Sequence, residues 1–271
     1  MGHHKLQRFA ENLTFDNLFQ VGFEQLEQEG FALRGRWAEH FDNTNPITLE
    51  LGCGKGDYTL ALARIHPDRN YIGVDIKGAR LWRGAKTAIE EPLKNVAFIR
   101  TRIELIDRFF APDEVSEIWL TFCDPQLKKP NKRLTSPRFL DTYSRFLAPQ
   151  STLHLKTDSQ ELYDYTLNEV LPTRNVEIIA HTADLYNDNL STYQHINIST
   201  YQPINLSTFT EAKLTQTFYE RMFLAEGKPI TYIQLKVENL KLKIKSYSNT
   251  QAIKQSCNQA ILQSNNKSIK Q

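Results

Sequence analysis

The feature that most constrains the fold is the segment at residues 47–57, where a short apolar run ends in an acid and leads into three glycines at alternate positions. The apolar run, which includes β-branched residues, predicts a buried strand. Gly52, Gly54 and Gly56 permit positive φ and a close approach of the backbone to a bound molecule. Apolar spacing over residues 60–65 then predicts a helix that packs back on the sheet. By itself this strand, loop and helix could serve NAD, another nucleotide or merely a tight turn.

The residue composition favours a globular protein without a membrane span. Hydrophobic residues make up 40% of the 271 positions, which is enough for a sizeable core. No run reaches the roughly 18 apolar residues of a membrane span, and the first residues lack the apolar core of a signal peptide. The three cysteines have no CxxC spacing, so neither a zinc site nor a disulfide framework is indicated. We therefore expect a cytoplasmic protein with no metal ion and no membrane partner.

Charge is distributed unevenly along the chain. The formal net charge is +2, yet residues 239–271 hold six lysines and no acids. The remaining residues therefore carry 27 basic against 31 acidic side chains, a net charge of about −4. This balance excludes a basic surface over the whole protein, so any contact with nucleic acid must come from local patches.

Three regions of the chain differ in character. Residues 1–45 have aromatic and apolar positions at partly helical spacing and predict an N-terminal arm on the main domain, either a structural extension or an RNA contact. Residues 46–240 form the predicted main domain. Within it, residues 189–212 repeat with a period of eight, which is too short for the known solenoids. Residues 241–271 are rich in Ser, Asn, Gln and Lys and predict a disordered or loosely helical tail.

From residue 47 onwards, strand-like and helix-like segments alternate, which indicates βαβ units. Strands are predicted at 47–51, 71–75, 96–99, 117–122, 152–156 and 176–180, with a last apolar run at 230–237. The fold class is therefore α/β, with a mostly parallel central sheet, helices on both faces and an antiparallel carboxyl-terminal edge. The strand ends bring Glu50, Asp75, Asp124 and Asp158 to one edge, where parallel sheets bind ligands.

The acids after the first two predicted strands favour S-adenosylmethionine over a dinucleotide. The GxGxxG motif fails because the position three after Gly54 is Asp57. Asp75 suits a ribose diol, since one carboxylate accepts hydrogen bonds from both hydroxyls. Glu50 would face the ammonium group of an amino-acid moiety. S-adenosylmethionine carries a ribose, an ammonium and a sulfonium, and it has no phosphate.

A local basic patch follows Asp124. The next residues carry five cations and no acid, namely Lys128, Lys129, Lys132, Arg133 and Arg138. Because the patch lies directly beside the cofactor edge, phosphate contact is favoured over a solvated face. Two further clusters, Asp158 and residues 217–220, are weak alone, since Asp158 could simply cap a helix.

In order along the chain, the segments LELGCGKGDYT, YIGVD, FCDPQLKK with NKR, LKTDS and TFYE resemble the tRNA (guanine-N7)-methyltransferase family. The resemblance covers roughly residues 5–240. It implies a Rossmann-like class I methyltransferase that uses S-adenosylmethionine on N7 of guanosine 46, in the variable loop of tRNA. The implied partner is tRNA, and the oligomeric state, monomer or homodimer, stays open.

The same resemblance implies roles for individual residues. Cofactor contacts fall on Glu50, Gly52, Gly54, Asp75 and Asp124, and Asp124 is also the implied catalytic residue. Substrate contacts fall on Lys128, Asp158, Thr217, Phe218, Tyr219 and Glu220. RNA contacts fall on Lys129, Asn131, Lys132 and Arg133.

Two positions depart from the family pattern. Cys123 replaces the usual proline before Asp124, and Arg102 stands where many members have an acid near the adenine. These departures leave open a tRNA-binding protein that is catalytically impaired. The other alternative is a methyltransferase that acts on another nucleic-acid base. Gln126 and Leu127 argue against a base-amino enzyme, because they do not supply the second proline and the aromatic residue that stack on a flipped base.

Overall fold

The computed structural model describes residues 3–187, 212–213 and 215–237, which form a single eight-stranded sheet with helices on both faces. The strands are β1 (Leu18–Phe19), β2 (Ile47–Leu51), β3 (Asn70–Asp75), β4 (Val96–Arg100), β5 (Val115–Thr121), β6 (Leu147–Thr157), β7 (Val176–Thr182) and β8 (Thr231–Val237). The α-helices are α1 (His3–Asn12), α2 (Phe23–Gln28), α3 (Trp37–Phe41), α4 (Asp57–Ile65), α5 (Gly78–Glu90), α6 (Pro137–Tyr143), α7 (Gln160–Asp164) and α8 (Phe218–Ala225). A π-helix (Tyr165–Val170) follows α7, and short 3-10 helices lie at Ile103–Arg108, Pro130–Lys132 and Leu171–Thr173. None of these described helices is long and apolar enough to cross a bilayer.

The strand order is β1-β4-β3-β2-β5-β6-β8-β7. Strands β1 to β6 pair in parallel, whereas β8 lies between β6 and β7 and is antiparallel to both. The predicted α/β class is therefore confirmed, including the antiparallel carboxyl-terminal edge. The first predicted strand has the observed bounds, and the others have shifted ends, most of all β6. The predicted tail and nearly all of the period-eight insertion lie outside the described residues.

Each face of the sheet packs its own apolar core. On one face, side chains such as Leu49 and Leu155 pack with Trp37 of α3 and Phe139 of α6. On the other face, strand residues including Phe98 and Trp119 pack against side chains of α4 and α5. Both faces are covered, as expected for a parallel sheet whose strands are apolar throughout. The two helical layers cover the faces of the sheet, so the strand ends are the first place to look for a ligand site.

Phe98 explains why glycines are needed beside the sheet. A Cβ built on Gly56 would lie 2.6 Å from this ring, and one on Gly73 or Gly84 would lie 2.7 Å from it. At Gly84, inside α5, the added carbon would also lie 2.6 Å from the Lys55 carbonyl. The last glycine of the predicted loop therefore serves packing, while φ of +76° at Gly56 makes the turn into α4.

The N-terminal residues contribute to the fold at three points. β1 adds a short parallel strand beside β4, with Leu18 opposite Phe98, and this strand was not predicted. α1 packs on α5, where the Asn12 amide donates a hydrogen bond to the Gly78 carbonyl at 3.0 Å. Trp37 is fully buried, and its indole N–H donates to the Phe109 carbonyl at 3.1 Å. These residues therefore belong to the same packed unit as the sheet.

Candidate active site

The direction of the chain across the sheet reverses between β2 and β5. From β2 the chain adds β3 and β4 on one side, and it then returns to place β5 and β6 on the other. In parallel sheets, ligands bind outside the carboxyl ends of the strands at this reversal point. The glycine loop that follows β2 and the Asp124 segment that follows β5 both lie there.

Glu50, near the end of β2, is hydrogen-bonded to residues on both sides of this reversal point, in α4 and in β5. Its buried carboxylate accepts hydrogen bonds from the Thr59 backbone N–H at 2.9 Å, from the Thr59 hydroxyl at 2.5 Å and from the Thr121 hydroxyl at 2.5 Å. Burial raises the pKa of Glu50 to about 7, and the hydrogen bonds from the two threonines only partly oppose this rise. Glu50 is therefore a fixed acceptor that ionises readily when a cation lies beside it.

The glycine loop leaves an open cradle. Gly52 and Gly54 have φ of +85° and +60°, and a Cβ built on either would meet nothing within 4 Å. The Asp75 carboxylate at the end of β3 accepts from the Gly54 N–H at 3.0 Å and from the Lys77 N–H at 2.7 Å. A carboxylate has about four acceptor sites, so Asp75 retains capacity for two more donors.

Beside Asp75, a cleft of about 770 Å³ opens at the carboxyl ends of β3 and β4. Its lining includes Ile76, Arg102 and Glu104. Arg102, the departure noted in the sequence, therefore lies at the wall of the space next to Asp75. Among the described residues, no cluster of His, Cys, Asp and Glu that could hold a metal ion is present.

The segment after β5 is held in an unusual backbone conformation. Phe122 has φ of +48°, although its N–H still donates to the Lys156 carbonyl at 2.8 Å. A non-glycine residue with positive φ costs energy and persists where the surrounding structure enforces it, commonly at functional sites. The Asp124 side chain is exposed and accepts from the Gln126 N–H at 3.0 Å. The strained turn therefore presents this carboxylate to solvent at the strand end.

Asp124 and Asp158 follow the ends of two neighbouring strands, because Thr121 of β5 pairs with Lys156 of β6. Burial raises the pKa of the Cys123 thiol to about 12, and the negative charges of Asp124 and Asp158 contribute to the rise. Asp158 is half-buried in the turn after β6, the next strand in the sheet. The structure thus brings together two carboxylates that are widely separated in the sequence. Cys123, directly before Asp124, is buried.

The basic loop divides into exposed and buried cations. Lys128, Lys129, Asn131 and Lys132 are exposed. Arg133 instead has a side chain only 4% exposed, which pairs with Glu161, donates to the Pro125 carbonyl at 3.0 Å and lies 4.4 Å from the Tyr165 ring centre. The Arg133 guanidinium therefore holds the base of the loop in this structure, and its RNA contact stays a prediction.

Residues 217–220 divide in a similar way. The Thr217 hydroxyl accepts from the Glu220 N–H at 3.1 Å, and the Glu220 carboxylate accepts from the Thr217 N–H, which makes a capping box at the start of α8. Phe218 and Tyr219 are 56% and 50% exposed, whereas Glu220 is fully buried. Glu220 therefore faces the interior in this structure, and its substrate contact stays a prediction.

Glu220 is buried because it pairs with Lys156. The two charged groups lie 2.6 Å apart, and both side chains are fully buried. The Lys156 ammonium also donates to the Ala212 carbonyl and, at 3.0 Å, to the Thr215 carbonyl, so all three of its protons are used. The Tyr186 hydroxyl donates to Glu220 at 2.6 Å. Burial lowers the pKa of Lys156, and the charge of Glu220 opposes this effect.

Three residues that support the site were not predicted from the sequence, namely Lys156, Thr59 and Thr121. One signal was present for Lys156, because it lies between Leu155 and Thr157 in a predicted buried strand, where an ammonium needs a partner. No local signal marks the two threonines, since Thr121 reaches Glu50 through the pairing of β2 with β5 and Thr59 reaches it through the packing of α4. Their hydroxyls act only through Glu50.

Comparison with known proteins agrees with this arrangement. Residues 44–214 match a protein-family profile described as "Putative methyltransferase". A tRNA (guanine-N(7)-)-methyltransferase of Christiangramia forsetii is 49% identical over 87% of this chain and 98% of its own length. A protein of the same description from Bacteroides fragilis is 40% identical over 94% of this chain and 98% of its own length. The chain belongs to the tRNA (guanine-N(7)-)-methyltransferase family.

A solved structure supports the same fold. The crystal structure of the 16S rRNA methyltransferase KamB superposes with a TM-score of 0.55, covering 78% of this chain and 95% of that one, at 13% sequence identity. At this identity the likeness shows the fold, which is the Rossmann-like class I methyltransferase fold.

The methyl donor of this fold, S-adenosylmethionine, fits the residues present. At Gly52 and Gly54 the cofactor could pack directly against the protein main chain, because no side chain projects there. Asp75 has acceptor capacity for the two ribose hydroxyls, and Glu50 can ionise beside the ammonium group. The cradle, the acid with free acceptor sites and the buried acid match the groups of the cofactor.

Proposed function

We propose that the protein transfers a methyl group from S-adenosylmethionine to N7 of guanosine 46 in the variable loop of tRNA. The observation that carries the proposal is the position of Asp124 and Asp158, which follow the ends of the neighbouring strands β5 and β6 next to the glycine loop after β2. The relatives' name supplies the acceptor atom. A substrate of this kind also supports a cytoplasmic location.

The N7 atom of guanine carries an sp2 lone pair and no proton at neutral pH, so the reaction needs no strong base. S-adenosylmethionine supplies a methyl group on a sulfonium, and the electrons of the broken carbon–sulfur bond stay on sulfur. The protein must therefore chiefly align the acceptor, a contribution that reaches about 7–11 kcal/mol in well-oriented reactions. Asp124 and Asp158 would accept hydrogen bonds from the guanine N1 and N2 donors and leave N7 free.

The same carboxylates would stabilise the positive charge that develops on the purine. Carboxylates are suited to this task because they only accept hydrogen bonds when ionised, which matches the guanine edge opposite N7. Lys128 lies in the exposed loop directly after Asp124 and would hold the target nucleotide. Lys129, Asn131 and Lys132 would contact the neighbouring phosphates, and Thr217, Phe218 and Tyr219 would contact the target from α8.

The proposal is tested with the purified full chain, methyl-labelled S-adenosylmethionine and tRNA, followed by mapping of the modified base. Asp124→Asn keeps the size of the side chain and removes its charge. We expect methyl transfer to fall by about 100-fold or more, because charge stabilisation in the transition state is lost. Binding of S-adenosylmethionine should remain measurable by calorimetry.

Asp68→Asn is the matched control, since Asp68 is exposed in the turn before β3, at the opposite edge of the sheet. This variant should methylate tRNA at the wild-type rate. Wild-type activity in Asp124→Asn would contradict the assignment of Asp124. A methyl group on an exocyclic amine would favour a different class of base methyltransferase, and tRNA binding without transfer would favour the catalytically impaired protein.

A further inference from the structure

A groove leaves the candidate active site between α4 and α5. It has a volume of about 640 Å³ and begins at Lys55 of the glycine loop, beside Phe218 of α8. Leu60 and Ala61 contribute apolar surface to it. This groove lies on the face of the sheet that carries α4 and α5, whereas the basic loop after Asp124 leads into α6 on the other face. The two basic segments therefore reach the same strand ends from opposite faces.

The charges of the groove are mostly positive. Its lining includes four cations and two acids, namely Lys55, Arg64, Arg83 and Arg221 with Asp57 and Glu91. Arg64 forms a two-pronged pair with Glu91, at 2.7 and 2.8 Å, and these two charges offset each other. Three cations then face one remaining acid. In a protein whose body is net acidic, such a local excess is what binding of a polyanion requires.

Two of these cations are well placed to bind phosphate. Arg83 is exposed on α5, close enough for its charge to act on Glu91. Arg221 is exposed on α8 and donates one hydrogen bond to the Gln216 carbonyl at 2.9 Å. A guanidinium has five N–H donors in a planar fork that matches phosphate, so Arg221 retains donors for a ligand.

An exposed aromatic ring lies at the mouth of the groove. Phe218 is 56% exposed, and the Lys55 ammonium lies 5.9 Å from its ring centre. Proteins that hold single-stranded or looped RNA pair cations for the phosphates with aromatic faces on which bases stack. Lys55 and Phe218 provide both elements at the end of the groove nearest to the glycine loop.

We propose that this groove binds the sugar–phosphate backbone of the tRNA next to the target guanosine, through Lys55, Arg83 and Arg221, with one base stacked on Phe218. The inference rests on the proposed function. The tRNA would then contact both faces of the sheet at its carboxyl edge, with the Lys128–Lys132 loop on one face and the groove on the other. The target nucleotide would lie between them at the reversal point.

The experiment measures tRNA affinity of the full chain from about 50 to 300 mM salt, for the wild type and Arg83→Ala/Arg221→Ala. Each lost phosphate contact lowers the slope of log affinity against log salt by about 0.7–0.9. We expect the double variant to lose about 1.5 from the slope and to bind tRNA about tenfold more weakly at low salt. Its affinity for S-adenosylmethionine should stay at the wild-type value, which also reports that the site is folded.

The charge-matched control is Lys94→Ala/Arg145→Ala, which removes two cations from turns at the amino edge of the sheet. This control should keep the wild-type slope. A groove variant with the slope and affinity of the control would overturn the inference, and if the wild type still methylates tRNA the proposed function stands. A wild type that neither binds nor methylates tRNA would overturn both. Arg83→Ala alone should lose about half of the slope change, which excludes an effect that acts only through α8.

Discussion

The two halves of the site are built by different means. In the cofactor half, on β2 to β4, the Asp75 carboxylate is fixed by backbone N–H groups of Gly54 and Lys77, and the loop surface at Gly52 and Gly54 is bare main chain. In the acceptor half, on β5 to β8, the supports are side chains far apart in sequence, above all the buried pair of Lys156 and Glu220. The cofactor half depends on local chain geometry, and the acceptor half depends on long-range packing.

The largest expected effect is in the acceptor half. Lys156→Met removes the buried ammonium and leaves the Glu220 carboxylate without its partner, a change that typically destabilises a protein by about 3–5 kcal/mol. We expect a loss of this size in the free energy of unfolding, measured with urea. Lys156→Met/Glu220→Leu should recover most of the loss, because an apolar pair leaves no unpaired charge. A loss below about 1 kcal/mol for Lys156→Met would show that the pair does not hold this half together.

A smaller effect is expected at Glu50, which touches both halves through Thr59 and Thr121. Its pKa is about 7 in the folded protein and 4.5 ordinarily. The folded state therefore keeps a proton that the unfolded chain releases. The contribution of Glu50 to the free energy of unfolding should be largest at pH 4.5 and below, and it should fall by about 3 kcal/mol as the pH rises to 7.

Urea unfolding of the apoprotein between pH 4.5 and 7.5 measures this dependence. Glu50→Gln has no ionisable group at this position, so its free energy of unfolding should be flatter over the same range. Affinity of the wild type for S-adenosylmethionine should rise through pH 7, because the ammonium favours the ionised carboxylate. Parallel pH profiles for the wild type and Glu50→Gln would contradict the raised pKa.

The cofactor half could largely be predicted from the sequence because its signals are local. The bounds of β2, the positive φ of Gly52 and Gly54, and the position of Asp75 all follow from a few neighbouring residues. Phe98, which requires glycine at Gly56, is distant in sequence, so the reason for that glycine could not be found locally.

For the acceptor half, the sequence predicted which motifs take part, but it did not predict which of their side chains are exposed and which are buried. The sequence indicated that Asp124 and Asp158 end neighbouring strands, yet it could not show that Arg133 and Glu220 turn inward. Each is buried by a partner that lies many positions away, Glu161 for one and Lys156 for the other. The sequence shows which charged side chains could contact a ligand. It does not show which of them the folded protein instead buries in ion pairs.

The division of the site is tested most directly by measuring two variants in two assays. Asp75→Asn should raise the dissociation constant for S-adenosylmethionine by about tenfold or more, the cost of weakened charged hydrogen bonds. Its kcat/KM for tRNA, measured at saturating S-adenosylmethionine, should stay at the wild-type value. Asp158→Asn should show the reverse pattern, with wild-type cofactor affinity and kcat/KM for tRNA lowered by about tenfold or more. If Asp158→Asn weakens cofactor binding as much as Asp75→Asn does, the two halves do not bind separate substrates, and the division into a cofactor half and an acceptor half is wrong.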